Sequence, residues 1–152
     1  MIDGKSRWSI PTWYLFHGIA EKIDEQYYKE NYFKVFQLFI LICDNLPCPI
    51  CRKEASTKIR KVNVHNINSK EKLKLFWFNF HNDVNVRLGK RLFNMEEMKK
   101  YEKIIMKKAM LWFDKNFFHN FRSYRVFTIP QQRNKLRTQL RREFNDLYKH
   151  LN

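Results

Sequence analysis

Apolar and aromatic residues recur at helical spacing along most of the chain. In the first such segment, four residues occupy positions i, i+3, i+4 and i+7: Trp13, Phe16, His17 and Ala20. Because proline suits the first turn of a helix, this spacing predicts a helix from Pro11 to Lys22. The next segment carries a longer helical stripe: Tyr28, Tyr32, Val35, Phe36, Phe39 and Cys43. It predicts a second helix that ends near Leu46; the run 35–42 alone is also typical of a buried strand, but its polar flanks favour a helix.

Two further helices are predicted in the middle of the chain. The composition of residues 48–61 suits a helix that begins at Cys48. After a polar break, Asn68 followed three residues later by Glu71 is typical of a helix start. Gly89 ends this fourth helix, whose apolar face is made by six residues: Leu73, Phe76, Trp77, Phe80, Val84 and Leu88.

The final third of the chain continues the helical pattern. Asn94 followed by Glu97 repeats the start signal and predicts a fifth helix that runs through Trp112. After a connection over 123–130, residues 131–152 predict a basic amphipathic helix with an apolar stripe: Leu136, Leu140, Phe144, Leu147 and Leu151. Only 3 Gly and 4 Pro are present, too few turn residues for a protein of many short strands. The sequence therefore predicts an all-α fold.

Composition and charge exclude some classes of protein but do not identify one function. The 152 residues are 44% hydrophobic and 16% aromatic, which suits one globular domain and excludes a wholly disordered chain. Lys and Arg total 30 against 15 Asp and Glu, and the formal net charge of +15 favours anionic partners. No stretch reaches the roughly 18 apolar residues of a membrane span, so we expect neither a span nor a cleaved signal.

The basic last segment has two interpretations. Arginines within 133–142 could neutralise the phosphates of a nucleic acid, which would make the chain a binding module with no redox activity. Alternatively, this helix covers an apolar face of the protein and turns its charges to solvent. The regular apolar stripe favours the second interpretation.

Two of the three cysteines form a Cys-Pro-Ile-Cys motif at 48–51. Two cysteines three residues apart at a helix start can reach each other and close a disulfide. The helix dipole and the neighbouring Arg52 and Lys53 favour a thiolate, which is the species that thiol–disulfide exchange uses. The spacing therefore favours a redox-active pair.

Two other interpretations of the cysteine pair remain open at this point. It could be half of a zinc site, although His65 and His81 lack the spacing of zinc-finger ligands, and we predict no metal. It could also be inert. The third cysteine, Cys43, lies on an apolar stripe and is predicted to be a buried thiol without a redox role.

A second group of polar residues falls within 81–90. On a helix, His81, Asn85 and Leu88 share one face and Asn82 lies beside them, among Phe and Trp side chains. Polar groups buried there without partners would cost on the order of 1–3 kcal/mol each. An aromatic heterocycle that carries carbonyls, ring nitrogens and phosphates would satisfy them; the alternative is ordinary helix-end groups bonded to water or backbone.

Taken together, these motifs resemble the Erv/ALR family of FAD-linked sulfhydryl oxidases, in the form that large DNA viruses encode. The family order is W-x-x-x-H, C-x-x-C and H-N-x-V-N-x-x-L-x-K, and the chain matches it at 13–17, 48–51 and 81–90. The resemblance implies a four-helix bundle with a short fifth helix. Residues 1–104 would be the FAD-binding core, and residues 105–152 a basic helical C-terminal extension.

The resemblance also implies an activity and its residues. An enzyme of this family oxidises protein thiols to disulfides and passes the electrons through its CxxC pair and flavin to oxygen, which gives hydrogen peroxide. Cys48 would meet the incoming thiol, and Cys51 would face the flavin. Eight residues would contact FAD: Trp13, His17, His81, Asn82, Val84, Asn85, Leu88 and Lys90.

Partners and location are likewise implied by the resemblance. The electron donor would be a thiol-containing protein substrate or a thioredoxin-like shuttle protein, oxygen the acceptor, and the enzyme a homodimer. The site of action would be the cytoplasm of an infected host cell and the virion, with the mitochondrial intermembrane space as the alternative. The chain departs from the family in two ways: it lacks the Gly-Arg that precedes the first-helix Trp, and it has no cysteine after Cys51.

Overall fold

The structure, a computed structural model, describes residues 4–119 and 130–152. These two ranges form six α-helices: α1 (Gly4–Lys22), α2 (Glu25–Cys43), α3 (Pro49–Arg60), α4 (Lys70–Arg87), α5 (Met106–Phe117) and α6 (Pro130–Tyr148). Two 3-10 helices, Val64–Asn66 and Met95–Lys103, lie between them. Within the same ranges, β-type pairing is limited to a single bridge between Ile23 and Leu151. The predicted all-α fold is confirmed.

The sequence also predicts a connection before the last helix and the absence of a membrane span. Of the predicted connection over 123–130, residues 123–129 lie outside the described residues, and Pro130 begins α6. In the part of the chain that the structure describes, no helix is long and apolar enough to cross a membrane.

The first helix is longer than predicted. It begins at Gly4, and Pro11 lies inside it, so the predicted start at Pro11 is wrong. Because proline has no N–H, residue 11 cannot donate the usual helical bond to the carbonyl of Arg7. The Thr12 hydroxyl donates to the Trp8 carbonyl at 2.6 Å, and the Trp8 side chain is buried in the core. Burial of this indole stabilises a turn that the proline disfavours.

The second helix confirms the helical interpretation of the apolar run 35–42. The Asp24 carboxylate caps its N-terminus by accepting the Tyr27 N–H at 2.8 Å. The helix ends at Cys43, three residues before the predicted end at Leu46. The strand alternative for this run is wrong.

The next two helices begin and end close to their predicted positions. Cys48 is the N-cap of α3, as the composition predicts. The N-cap of α4 is Ser69 rather than the predicted Asn68. The Ser69 hydroxyl accepts the Lys72 N–H at 3.2 Å. Gly89 follows the end of α4 with a φ of +67°, a conformation that favours glycine.

The predicted continuous fifth helix is two segments in the structure. Asn94 and Glu97 form the capping box that the sequence predicts, but the helix they start is a 3-10 helix that ends before Ile104. Ile104 is extended, with φ −65° and ψ 134°, and α5 begins after it. Tyr101 and Met106 are both buried, whereas on one α-helix they would point about 140° apart. The break lets both side chains reach the core.

One hydrophobic core joins the helices. α1 packs against α4 and α5, and α2 packs against α3. At the centre, Phe16 stacks on Trp77 with ring centroids 4.3 Å apart, and Phe39 meets the same indole edge-on at 5.0 Å. The last helix covers this core with four side chains: Leu136, Leu140, Phe144 and Leu147. The division of the chain at residue 104 stays a prediction; buried side chains on both sides of it belong to one cluster.

Candidate active site

A large cavity lies between α1, α3, α4 and the 3-10 helix Met95–Lys103. Its volume of about 1420 Å³ exceeds the roughly 300–1,000 Å³ of common small-molecule sites. Its apolar lining is mainly aromatic: Trp8, Trp13, Tyr14, Phe16, Phe80, Phe93 and Tyr101. The cavity therefore suits a ligand that is larger than a single ring and largely aromatic.

Seven of the ten predicted site residues line this cavity: Trp13, Cys51, His81, Val84, Asn85, Leu88 and Lys90. Three do not line it: His17, Asn82 and Cys48. Each of these three is hydrogen-bonded to a residue that does. His17 Nε2 lies 2.9 Å from His81 Nδ1, Asn85 Nδ2 donates to Asn82 Oδ1 at 3.4 Å, and the Cys51 N–H donates to Cys48 Sγ at 3.3 Å. The structure thus brings the three separate motifs together.

The cysteine pair lies at the N-terminus of α3. Cys48 is the N-cap residue, and Pro49 occupies the first turn of the helix, where its missing N–H costs nothing. Cys51 is 8% exposed and lines the cavity, whereas Cys48 is half-buried and does not line it. Between them, the Ile50 side chain is 69% exposed. The pair therefore joins the inside of the cavity to the protein surface.

Aromatic stacking forms another part of the cavity wall. The Trp13 indole and the His81 imidazole stack in parallel with ring centroids 3.8 Å apart and an interplanar angle of 6°. His17 lies behind them and stacks on Tyr101, with centroids 4.3 Å apart. Because α1, α4 and the 3-10 helix each contribute a ring, this stack fixes the three elements relative to one another.

Both histidines of this wall are held neutral. Burial, His81 and Lys100 lower the pKa of His17 well below 6.5. Burial, Lys100 and Lys90 lower the pKa of His81 to about 3. The hydrogen bond between the rings needs one nitrogen to donate and the other to accept, which two imidazolium ions cannot do. At neutral pH the pair is therefore uncharged.

Lowering the pH should destabilise the fold through this pair. Unfolded histidine takes up a proton near pH 6.5, while folded His81 resists protonation down to about pH 3, so between these values the unfolded state binds more protons. We expect the free energy of unfolding to fall by up to ~1.4 kcal/mol per pH unit through His81 between pH 6 and 4, and His17 acts in the same direction. Urea titrations at several pH values measure it. His81→Gln should reduce the slope; a slope equal to that of the wild-type protein would contradict the assignment.

Asn82 organises the backbone beside the cavity. Its amide nitrogen donates to the Phe93 carbonyl at 2.9 Å, and its oxygen accepts the Phe93 N–H at 3.1 Å. Asn85 is 8% exposed and lines the cavity, and its backbone carbonyl accepts the Lys90 N–H at 2.8 Å. One asparagine thus holds the segment that follows α4, while the other presents a carboxamide to the cavity.

The charged lining is predominantly basic. It contains seven cations, Lys53, Lys58, Lys61, Arg87, Lys90, Arg91 and Lys100, and four carboxylates, Glu54, Asp83, Glu96 and Glu97. Three of the carboxylates are ion-paired to lining cations: Asp83 to Lys58, Glu54 to Arg87 and Glu97 to Arg91. The excess positive charge favours an anionic group such as a diphosphate.

Most lining residues are absent from the predicted set, and Trp8 and Tyr101 are among them. Among the described residues the buried Trp8 indole N–H has no hydrogen-bond partner, and burial raises the pKa of the Tyr101 phenol. Helical spacing does offer a signal for Trp8, because Trp8, Thr12 and Phe16 are four residues apart on one helix and all line the cavity. The predicted start of α1 at Pro11 left Trp8 outside the helix.

The zinc interpretation of the cysteine pair requires further ligands. A zinc site needs about four Cys, His or carboxylate ligands around one point, or three and a water. Within residues 4–119 and 130–152, no three His, Cys, Asp or Glu side chains are grouped so that they could hold a metal ion. The geometry therefore gives this interpretation no support.

Comparison with known proteins agrees with the geometry. The model of the Erv1 / Alr family matches residues 10–103, a range that contains all ten predicted site residues. Three proteins called FAD-linked sulfhydryl oxidase, from African swine fever virus isolates of Kenya, Malawi and Namibia, are each 33% identical to this chain. The alignments cover 65–66% of this chain and 83–84% of the viral proteins. No solved structure matches significantly. Since the family's three motifs converge on one cavity and its model covers them all, the chain belongs to the Erv1/Alr family.

Proposed function

We propose that this chain is an FAD-linked thiol oxidase. It joins pairs of thiols in a protein substrate into disulfides and reduces dioxygen to hydrogen peroxide: two R–SH and O₂ give R–S–S–R and H₂O₂. One observation carries the proposal, namely that Cys51 of a CxxC pair lines the same cavity as the Trp13–His81 stack. The name of the viral relatives, FAD-linked sulfhydryl oxidase, supports both the cofactor and the reaction.

The cavity residues fit FAD. The aromatic lining suits a flat ring system, and the buried Trp8 N–H without a partner can donate to a ligand carbonyl or ring nitrogen. The neutral His81 and the Asn85 carboxamide offer donors and acceptors without charge, and Lys90 offers a cation to the diphosphate. We propose that six lining residues contact FAD directly: Trp13, His81, Val84, Asn85, Leu88 and Lys90. We propose that His17 and Asn82 support this set through their hydrogen bonds to His81 and Asn85.

The thiol chemistry is assigned to the cysteine pair in its disulfide form. A substrate thiolate attacks Cys48 Sγ, the Cys48–Cys51 bond breaks, and Cys51 leaves as the thiolate. A second substrate thiolate attacks the mixed disulfide, releases the substrate disulfide and leaves Cys48 as a thiolate. Two electrons now reside on the reduced pair. Cys48 takes the outer role because it is half-buried and outside the cavity lining, whereas Cys51 lines the cavity.

The remaining half of the cycle would use the chemistry of a flavin held in the cavity. When bound, FAD supplies a two-electron acceptor for the dithiol and a reduced form that reacts with dioxygen. The protein contributes the position of Cys51 and the aromatic wall. The N–H groups at the start of α3 stabilise negative charge on Cys48, whose sulfur already accepts the Cys51 N–H.

The proposal extends to partners and location. A protein dithiol or a thioredoxin-like shuttle would donate electrons, and its approach to Cys48 would pass the exposed Ile50. Because the relatives are encoded by a virus, we propose that the enzyme acts in infected cells, in the cytoplasm and at the virion. A homodimer remains a prediction from the family resemblance.

Few arginines of α6 are available to bind the phosphates of a nucleic acid. Of the four arginines between 133 and 142, Arg137 and Arg141 both bind the Asp114 carboxylate. Arg133 donates to two backbone carbonyls. Three of the four arginines therefore bind groups of the protein itself. Among the described residues, Arg142 is the one of the four without such a bond.

Oxygen uptake tests the proposed function. Purified protein supplied with FAD and dithiothreitol should consume dioxygen and release hydrogen peroxide in equal amounts, and should do the same with a reduced, cysteine-containing protein. Absence of bound flavin after reconstitution, or oxygen uptake no faster than with free FAD, would overturn the proposal.

A further inference from the structure

The last helix reaches the turn that carries the redox pair. α6 lies beyond the range 10–103 that the family model matches, yet its Arg133 contacts the connection between α2 and α3. The guanidinium donates to the Asn45 carbonyl at 3.2 Å and to the Phe117 carbonyl, at the end of α5, at 2.7 Å. It also lies over the Phe118 ring, 4.9 Å from the centroid. One side chain thus joins three parts of the fold.

Asn45 lies three residues before Cys48, in the turn 44–48. One end of this turn is anchored by Asp44, whose carboxylate accepts the Ser56 hydroxyl at 2.7 Å and pairs with Arg60. The other end is Cys48 itself, the N-cap of α3. Between these ends, the Asn45 carbonyl is held from outside the turn by α6. A shift of this carbonyl would move the backbone that places the Cys48 sulfur.

We propose that Arg133 is a positioning residue for the redox pair: by binding the Asn45 carbonyl it lets the C-terminal extension hold the turn that places Cys48. This role rests on the proposed thiol oxidase function. The electron-transfer chemistry remains with Cys48 and Cys51, and Arg133 acts through the backbone alone.

The geometry requires a guanidinium. Two nitrogens of the planar Arg133 guanidinium bind two backbone carbonyls, those of Asn45 and Phe117, which belong to different parts of the fold. The same group packs over the Phe118 ring. A lysine ammonium at this position keeps the charge but not this fork. Burial and the nearby Arg52 lower the pKa of Arg133, which means that both disfavour the charged guanidinium at this position. The two hydrogen bonds and the ring contact hold the side chain there against this loss of solvation and charge repulsion.

Three variants separate positioning from stability. Arg133→Met removes both hydrogen bonds, and Arg133→Lys retains only the charge. Arg137→Met is the matched control, because Arg137 lies one helical turn later, packs over the same Phe118 ring and binds Asp114 without touching the turn. Melting temperatures and flavin content of all variants are compared first with those of the wild-type protein.

Stopped-flow spectroscopy then resolves the two halves of the cycle. With excess dithiothreitol and no oxygen, we expect flavin reduction to slow roughly tenfold or more in Arg133→Met and Arg133→Lys, because small displacements of reacting groups cost this much. Reoxidation of reduced flavin by dioxygen does not use the cysteines and should be unchanged. Arg137→Met should stay within roughly twofold of the wild type in both steps.

Hydrogen exchange gives a readout that does not depend on turnover. The amides of Asn45, bonded to the Ile42 carbonyl, and of Cys51, bonded to Cys48 Sγ, should exchange faster in Arg133→Met than in Arg137→Met. Equal exchange in these two variants, or wild-type flavin reduction in Arg133→Lys, would overturn the positioning role. If the wild-type protein shows no dithiol-dependent flavin reduction, the proposed function fails, and the exchange data still decide whether Arg133 holds the turn.

Discussion

Cys51→Ser should lower thiol-dependent oxygen uptake by on the order of a thousandfold or more, while the protein keeps its bound flavin. A serine hydroxyl cannot form the disulfide that accepts substrate electrons, so both exchange steps are lost. Flavin is retained because Cys51 is one of many lining residues, which also include seven Trp, Tyr and Phe side chains, Asn85 and Lys90. Cys48→Ser should be equally inactive. The measurement is oxygen uptake with dithiothreitol, together with the visible spectrum of each purified variant.

Cys43→Ala is the matched control for the cysteine variants. Cys43 also lines the cavity, but burial raises its pKa to about 12, so it holds no reactive thiolate at neutral pH. Its replacement should leave turnover within roughly twofold of the wild type. Full activity in Cys51→Ser, or loss of activity in Cys43→Ala at unchanged stability, would show that the electron path has been assigned to the wrong sulfur.

Asn85→Ala should weaken FAD binding by roughly tenfold to a hundredfold. Asn85 presents a buried carboxamide to the cavity from a helix face that also carries His81 and Leu88. Removing it costs the bound cofactor its hydrogen bonds there, which corresponds to about 1–3 kcal/mol. Fluorescence titration of the apoprotein with FAD measures the dissociation constant. His81→Ala should act in the same direction, since it also removes the ring that stacks on Trp13.

Asn116→Ala controls for the loss of a buried asparagine as such. Asn116 is 8% exposed, like Asn85, and its side chain donates to the Trp112 carbonyl, away from the cavity lining. It should lower stability without changing the FAD dissociation constant. If Asn85→Ala binds FAD as tightly as Asn116→Ala does, Asn85 does not belong to the cofactor site.

The order of helices and the part of the cavity formed by α4 could be predicted because they depend on local patterns. The stripe in α4 places His81, Asn85 and Leu88 on one face, and all three line the cavity. The Asn94–Glu97 capping box and the end of α4 at Gly89 follow from backbone requirements of single residues. Features set by neighbours in sequence were therefore accessible.

The features that could not be predicted depend on tertiary contacts. Trp8 extends α1 past a proline because its indole is buried in a core built by other helices. Ile104 interrupts the predicted fifth helix because Tyr101 and Met106 both reach that core. The contact between Arg133 and Asn45 joins residues 88 positions apart, a distance over which no periodicity carries information. In each case tertiary packing or a long-range hydrogen bond outweighed the local conformational preference of the sequence.

The central claim is that a flavin bound in the helical cavity takes its electrons from the Cys48–Cys51 pair. Anaerobic titration of the FAD-loaded protein with dithiothreitol, followed by visible absorption, tests it most directly, with dithionite as the control for a reducible flavin. We predict that the flavin absorption bleaches in the wild type in proportion to added dithiol, and that in Cys51→Ser it responds to dithionite alone. Wild-type absorption that persists under excess dithiol yet disappears with dithionite would contradict the claim.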